Sequence, residues 1–458
     1  MVKQIKLNAL DQCNPSFQAF GLWTHPRDLA VNYTTPEYWM NYAQLLERGL
    51  FDNFFLADVY GFPDVYQGRA DACLRNGSQA PSLDPAVIVP LMAVATTDLC
   101  FTMTGSCSYE SPYSFARRIS TLDHMTKGRL GWNIVTSYLS SGALAMGQEK
   151  LTDHDTRYDK ADEFAEGVYR LWQESWGEGA LVKDKTKPLY ADPSRISTIE
   201  FNGRYHRFRA IGAVEPSPQR VPVLFQAGGS DRGRRFAAMH AEGIYVNGTK
   251  PELVAANVAK TRAAVAEAGR DPRSVNFFAG VSVFVDETEA LAKARYEDYK
   301  RYSSFEGLIG LMSGAMGIDL SRYSLDEPIN YAPNDANRSA LEAFTRNNEW
   351  TLRQVLDAKA LCGTNVAVIG TAGQVVDELT RWMKIADVDG FNIARIVAHE
   401  TMENFIAMVV PELQRRGLYK TAYAPGTFRE KLLGYGPDIR DHPAARFRRY
   451  NNATSTAS

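Results

Sequence analysis

Ser230 closes the run Val221-Pro222-Val223-Leu224-Phe225-Gln226-Ala227-Gly228-Gly229-Ser230, and the residues after it, Arg232-Gly233-Arg234-Arg235-Phe236-Ala237-Ala238, read as a helix. A continuous apolar run of this kind is the pattern of a buried parallel strand. The glycine pair lets the backbone approach a ligand closely. A helix start offers free N–H groups and the positive end of a dipole. A hydroxyl at that junction is well placed to hold a phosphate; its plainer reading is a helix N-cap, where Ser is common. Other chemistries find little support. The seven histidines (His25, His124, His154, His206, His240, His399 and His442) show no H-E-x-x-H and no paired metal spacing. Gly228-Gly229-Ser230-Asp231-Arg232 lacks the final glycine of a G-x-S-x-G elbow. No G-x-G-x-x-G opens a βαβ unit, so a nicotinamide site of the Rossmann kind is not expected.

The elements around Ser230 set the fold class. Strand-like runs at Ile5–Leu10, Phe51–Asp58, Leu99–Cys107, Leu130–Ser137, Val221–Ala227, Gly243–Gly248, Val275–Val285 and Gly390–Ile396 alternate with helical patterns. Those patterns fall at Thr35–Leu50, Pro85–Thr97, Tyr113–Thr126, Arg157–Trp176, Pro251–Gly269, Thr288–Tyr302 and Met402–Arg416. Eight βα alternations predict an α/β chain folded as a (β/α)8 TIM barrel, one domain over residues 1–458. Two long insertions break the rhythm. One lies at about 177–220, between strands four and five, with Asn202-Gly203 as a hairpin turn; the other lies at about 303–366, after strand seven. Val59–Leu83 and Ser303–Val366 are the expected lids. The tail at about 418–458 is expected to wrap the surface or a neighbouring subunit. Barrel chemistry sits at strand C-terminal ends, which directs attention to Leu10–Phe17, Asp58–Gln79, Thr104–Tyr109, Thr136–Tyr158 and Gly228–Arg232.

Composition narrows the class further. The chain has 458 residues, 45% hydrophobic and 23% charged, with a net charge of -2. That balance gives no strong pull toward nucleic acid or an anionic membrane. Five scattered cysteines argue for a reducing compartment rather than a disulfide framework. The start, Met1-Val2-Lys3-Gln4-Ile5-Lys6-Leu7-Asn8, has no long apolar core, so no signal peptide is expected. The most apolar stretch, Ala86–Ala95, is far short of the roughly 20 residues of a membrane span. A cytoplasmic enzyme is the expectation.

Several segments carry a family resemblance. Leu56-Ala57-Asp58, Ala116-Arg117-Arg118-Ile119-Ser120-Thr121-Leu122-Asp123-His124, Gly128-Arg129, Trp132-Asn133-Ile134-Val135-Thr136-Ser137, His154-Asp155-Thr156-Arg157-Tyr158-Asp159 and Gln226-Ala227-Gly228-Gly229-Ser230 resemble the bacterial-luciferase-like superfamily. Within it the chain is similar to the group of nitrilotriacetate and dibenzothiophene-sulfone monooxygenases. Asn8-Ala9, Trp23-Thr24-His25-Pro26, Glu215-Pro216-Ser217-Pro218-Gln219-Arg220, Arg429-Glu430-Lys431-Leu432 and His442-Pro443-Ala444-Ala445-Arg446 resemble the long-chain alkane and dimethyl sulfide branches.

The resemblance implies a two-component monooxygenase. A separate NAD(P)H:flavin reductase supplies reduced FMN (FMNH2). The barrel binds it, and one oxygen atom of O2 enters a small apolar, aromatic or organosulfur substrate. It also implies a homodimer or homotetramer. The family's flavin positions fall on Asp58, Thr104, His154, Tyr158 and Ser230, with Ser137 and Gly229 as further contacts. His154 and Tyr158 are four residues apart and share one face if a helix has begun there; by spacing alone they are ordinary helix-start residues. On the reacting face, where those branches carry polar and histidine side chains, this chain has Asn14, Phe17, Pro63, Tyr138 and Leu311, and only Gln79 keeps its type. The pocket is thus expected to be apolar or aromatic, with Tyr138, Gln79 and Cys13 as candidate catalytic groups. The plainer readings are a pocket-wall aromatic for Tyr138 and a small buried hydrophobe for Cys13. Two rival functions remain open: hydride transfer with the deazaflavin F420, and a flavin-binding relative without turnover.

Overall fold

The computed structural model describes residues 3–328 and 350–449. Eight parallel strands close into a barrel: Lys6–Gln12, Asn53–Ala57, Cys100–Ser106, Leu130–Val135, Val223–Gln226, Gly243–Val246, Asn276–Val285 and Gly390–Ala394. They pair in chain order, and the eighth returns to the first from Lys6↔Gly390 to Leu10↔Ala394. All eight expected strands are present, the fifth shorter than its apolar run because Val221 and Pro222 lead into it. Strand alternation divides the apolar residues between two layers. Leu7, Ala9, Phe54 and Phe101 face the outer helices, where Trp39 and Tyr42 meet them. Leu10, Phe55, Val223, Phe225, Tyr245 and Phe278 fill the interior. There the Tyr245 ring stacks between Phe55, at 4.3 Å, and Phe225, at 5.2 Å.

Two features depart from the sequence expectation. A ninth strand, Val366–Gly370, pairs with the outer half of strand seven, from Val281↔Val366 to Val285↔Gly370, and leads into the helix Ala372–Ala386. Strand seven is ten residues long and fully buried, so it outruns the ring and needs a second neighbour. The insertion expected at 303–366 ends where that strand begins; its residues 329–349 lie outside the described part. The tail also differs, because its helix Phe428–Leu433 is not a surface wrap. Phe428 and Leu432 are buried in the interior cluster, with Phe428 5.7 Å from Phe225. The Phe428 N–H donates to Gly128 O, ahead of strand four, so this helix plugs the N-terminal end of the barrel. Tail residues 450–458 lie outside the described part.

The insertion at 177–220 holds the expected hairpin, Ile199–Asn202 with Arg207–Ala210, and a second one, Leu181–Asp184 with Leu189–Ala191. The later insertion contributes the helix Phe305–Met316. Its Gly307, Gly310 and Gly314 leave no room for a Cβ against Ser78, Ala72 and Pro63 respectively. This close approach ties it onto the 59–83 segment over the barrel mouth. Among the described residues no helix is long and apolar enough to cross a membrane.

Candidate active site

At the C-terminal end of strand five the backbone turns through Gly228 and Gly229 into the helix Asp231–His240. Ser230 is its N-cap, and its Oγ accepts from the Gly233 N–H at 3.1 Å. The N–H groups of Asp231 and Arg232 belong to the set that a helix start leaves without an intrahelical acceptor. The helix after strand four begins at His154, capped by Asp153 Oδ1 accepting from the Thr156 N–H at 3.0 Å. That start sets His154 and Tyr158 on one face, the two rings edge to face at 5.2 Å. His154 Nε2 lies 3.3 Å from Ser230 Oγ, while Nδ1 lies 2.6 Å from the Asp155 carboxylate. Burial pushes the Tyr158 hydroxyl above the ordinary phenol range, so it remains a donor.

The space here is shaped for a bulky anion. A Cβ on Gly228 would stand 2.8 Å from the Tyr158 hydroxyl, and one on Gly233 would stand 2.7 Å from it. Two glycines therefore keep open the room between Tyr158 and the helix start. Gln226 adds a support that its place in the Gln226–Ser230 motif does not announce. Its Oε1 accepts from the Gly228 N–H at 2.6 Å, and its Nε2 donates to the Tyr158 hydroxyl at 3.4 Å. Hydroxyl, imidazole, phenol and helix-start amides converge, a donor set suited to a phosphate monoester.

The remaining predicted residues line the rim. Thr104 Oγ1 donates to Leu56 O at 3.2 Å and accepts from Asn133 Nδ2 at 3.0 Å, joining strands two, three and four. Ser137 is buried, with its Oγ 2.8 Å from Ser106 Oγ. Asp58 follows strand two and accepts from the Val59 N–H at 2.9 Å. Burial, with the nearby Asp84 adding to it, pushes the Asp58 carboxyl up to about 7. Among the described residues no hydrogen bond or ion pair joins Asp58 to the Ser230 group.

That displaced carboxyl has a measurable consequence. Its folded-state value lies above the unfolded one, so its contribution to stability is complete below about pH 4 and is lost as pH rises through about 7. Asp58→Asn removes the penalty of an ionised buried group. The variant is expected to melt above the parent at about pH 8, and the gap to close toward about pH 5. Parallel melting curves that never converge would contradict this assignment.

A second group of predicted residues surrounds the barrel mouth. The loops 13–17 and 78–83 run side by side: the Gln79 N–H donates to Ser16 O at 3.2 Å, and the Leu83 N–H donates to Cys13 O at 2.8 Å. This pairing brings Gln79 beside the segment that carries Phe17. Cys13 is fully buried in the outer core, where burial pushes its thiol well up. It is a packing side chain there, not an available nucleophile. Tyr138 lies beside Leu139, which approaches Gly314 of the helix over the mouth. Burial, with Cys73 adding to it, pushes the Tyr138 hydroxyl up to about 12. Phe17, Pro63 and Leu311 are buried.

A parallel barrel with donors converging after strand five, and buried apolar side chains under a glycine-faced helix at its mouth, has the layout of an enzyme whose chemistry sits at the C-terminal ends of its strands. Comparison with known proteins gives the family. The model of luciferase-like monooxygenases matches residues 17–387. The dimethyl-sulfide monooxygenase of Hyphomicrobium sulfonivorans is 41% identical over 98% of this chain and 94% of its own. The long-chain alkane monooxygenase of Geobacillus thermodenitrificans is 41% identical over 98% of this chain and 99% of its own. The solved structure of a riboflavin lyase with modified FMN and riboflavin has a TM-score of 0.92 at 35% identity, over 97% of this chain and all of that one. The chain belongs to the luciferase-like monooxygenase family and is a flavin-dependent monooxygenase.

Proposed function

We propose that this single-domain barrel is the oxygenase component of a two-component system, using FMNH2 from a separate NAD(P)H:flavin reductase. Its substrate is a small neutral molecule, a thioether, sulfone, aromatic or hydrocarbon. Ser230, His154, Tyr158 and the amides after Gly229 hold the phosphate. Asp58, Thr104 and Ser137 lie along the rim that the flavin's polar edge would meet. Bound FMNH2 supplies the two electrons with which O2 is divided between product and water. The helix Phe305–Met316 shields the pocket from water, and Tyr138 keeps its proton and offers a hydrogen-bond donor there.

The observation that carries the substrate class is the charge at the mouth. Residues 13–23, 136–142 and 305–316 contain one ionisable group of full charge, Glu306. The two cations of the 59–83 segment, Arg69 and Arg75, point outward and are already paired, with Asp71 at 3.0 Å and Glu306 at 2.5 Å; their side chains are 71% and 66% exposed. A polycarboxylate of the nitrilotriacetate kind would enter without a counter-charge, at a cost of several kcal/mol for each desolvated carboxylate. The names of the similar proteins favour oxygen transfer over hydride transfer to F420.

The test is a screen of dimethyl sulfide, dibenzothiophene sulfone, N-heteroaromatics and long-chain alkanes with a generic flavin reductase, NADH and FMN. The readout is mass gain. Addition of one oxygen atom to one of these classes is expected. Turnover confined to polycarboxylates, or none at all with FMN bound, would refute the reading. Five free, buried cysteines support a reducing, cytoplasmic setting, checked by locating a tagged copy in fractionated cells. The helix Pro85–Val94 leaves Val87 66% and Val94 85% exposed, which supports a homo-oligomer built on that face. Light scattering at a multiple of the 51.0 kDa chain checks it.

A further inference from the structure

A chain of side chains runs from Tyr158, in the donor group around Ser230, to the C-terminal tail. The Arg232 guanidinium lies 5.4 Å over the Tyr158 ring. Its Nη2 donates to Asp159 Oδ1 at 2.9 Å and to Asp162 Oδ2 at 2.5 Å, so two carboxylates already occupy this cation. The other oxygen of Asp162 accepts from His240 Nε2 at 2.9 Å, and His240 Nδ1 lies 3.2 Å from the Tyr169 hydroxyl. An Nε2–H tautomer of His240 satisfies both partners. The carbonyl of His240, last residue of the helix, accepts from His442 Nε2 at 2.8 Å; His442 Nδ1 accepts from the Ala444 N–H at 3.0 Å, which fixes that ring as well. Arg270 donates to Ala238 O and Ala241 O, both at 2.8 Å. The helix is thus gripped at its C-terminal end by the tail and by Arg270, and tied to Tyr158 near its N-terminal end through Asp162 and Arg232.

We infer that Asp162 and His442 are positioning residues for the flavin phosphate: together they fix the Asp231–His240 helix and the Tyr158 ring in the arrangement that the phosphate needs. This rests on the FMN reading above. Neither side chain faces the cradle, so each acts through a neighbour. Phosphate recognition weakens when hydroxyl, imidazole and amides lose their mutual placement, while contacts to the ring system of the flavin do not depend on it.

Riboflavin, the same ring system without the phosphate, separates these effects. Affinities for oxidised FMN and for riboflavin are measured by quenching of flavin fluorescence on the full chain and on Asp162→Ala, His442→Ala and His442→Gln. The alanine variants are expected to bind FMN about tenfold more weakly, the scale of one lost hydrogen bond acting through a neighbour, with riboflavin affinity unchanged. His442→Gln restores FMN binding, because its amide N–H reaches the same carbonyl. If His442→Ala does not fold, Asp162→Ala decides alone, since that carboxylate is 42% exposed and tolerates removal. An unchanged preference for FMN over riboflavin in Asp162→Ala, or a parallel loss of both ligands, overturns the inference. A parent chain with no preference for FMN instead overturns the phosphate reading, and that result is seen before any variant is made.

Discussion

Ser230→Asp is expected to weaken FMN binding by about 50-fold or more while leaving the fold and riboflavin binding intact. The argument depends on the two jobs of this residue. As N-cap, Ser230 accepts from the Gly233 N–H; Asp is an equally good cap, so the helix start survives the change. As a phosphate donor, the hydroxyl has no substitute in a carboxylate. Losing a hydrogen bond to a charged group costs about 1.5–3 kcal/mol. A carboxylate at about 4 Å from a phosphate adds repulsion of roughly 1 kcal/mol in water and about 4 kcal/mol at the effective dielectric of a protein surface. The lower sum already exceeds the roughly 1.4 kcal/mol that makes a factor of ten. Titration of oxidised FMN by fluorescence quenching measures the effect, with the melting temperature as control. FMN affinity within about threefold of the parent would remove Ser230 from the phosphate site and with it the proposed cofactor geometry.

The barrel was legible in the sequence because its strands are continuous apolar runs at regular intervals. The phosphate site was legible because glycine, hydroxyl and helix start fall within one short segment, Gly228 to Gly233. His154 and Tyr158 became convergent only once a helix started at His154, a boundary that Asp153 sets by capping and that the apolar pattern alone placed three residues later. Three things were hidden. Gln226 holds Gly228 and Tyr158 together, and a glutamine at a strand end gives no local signal for that. The Asp162–His240–His442 chain joins residues up to 280 positions apart, and sequence spacing says nothing about such contacts. The ninth strand, Val366–Gly370, and the helix Ala372–Ala386 that follows it were also missing from the expectation, although Thr371 and Gln374 form a capping box between them; the eight-strand count was already complete without this βα unit. Some segments that carry the family resemblance also lie far from the chemistry. Gln219 Nε2 donates to Asp123 Oδ1 at 2.7 Å, and the Arg429 N–H donates to Gln219 Oε1 at 3.2 Å. These residues meet at the closed end of the barrel, so a shared motif there reports a shared architecture.

Arg429→Ala is expected to cost about 3–5 kcal/mol of folding stability, the penalty for stripping one partner from a fully buried ion pair. Arg429 is completely buried. Its Nε donates to Glu242 Oε1 at 2.7 Å and its Nη2 to Glu242 Oε2 at 2.9 Å. The same guanidinium reaches Val221 O and Pro222 O at 3.0 Å, and Pro437 O at 2.6 Å. Alanine would leave the Glu242 carboxylate in the interior without its cation and three carbonyls without a donor. Lysine restores the charge but not the planar fork, so Arg429→Lys should fall between the two. Arg429→Met combined with Glu242→Leu removes both charges and should recover part of the loss. The recovery stays incomplete because the Tyr435 hydroxyl and the Leu224 N–H, which donate to Glu242 at 3.1 Å, lose their acceptor. Chemical denaturation of the four proteins measures the series. A midpoint for Arg429→Ala equal to the parent's would mean that the plug contributes nothing to the barrel. Destabilisation by the full amount, with FMN affinity held in the folded fraction, would instead separate this part of the tail, which closes the core, from His442, which acts on the cradle only through the C-terminal end of the helix Asp231–His240.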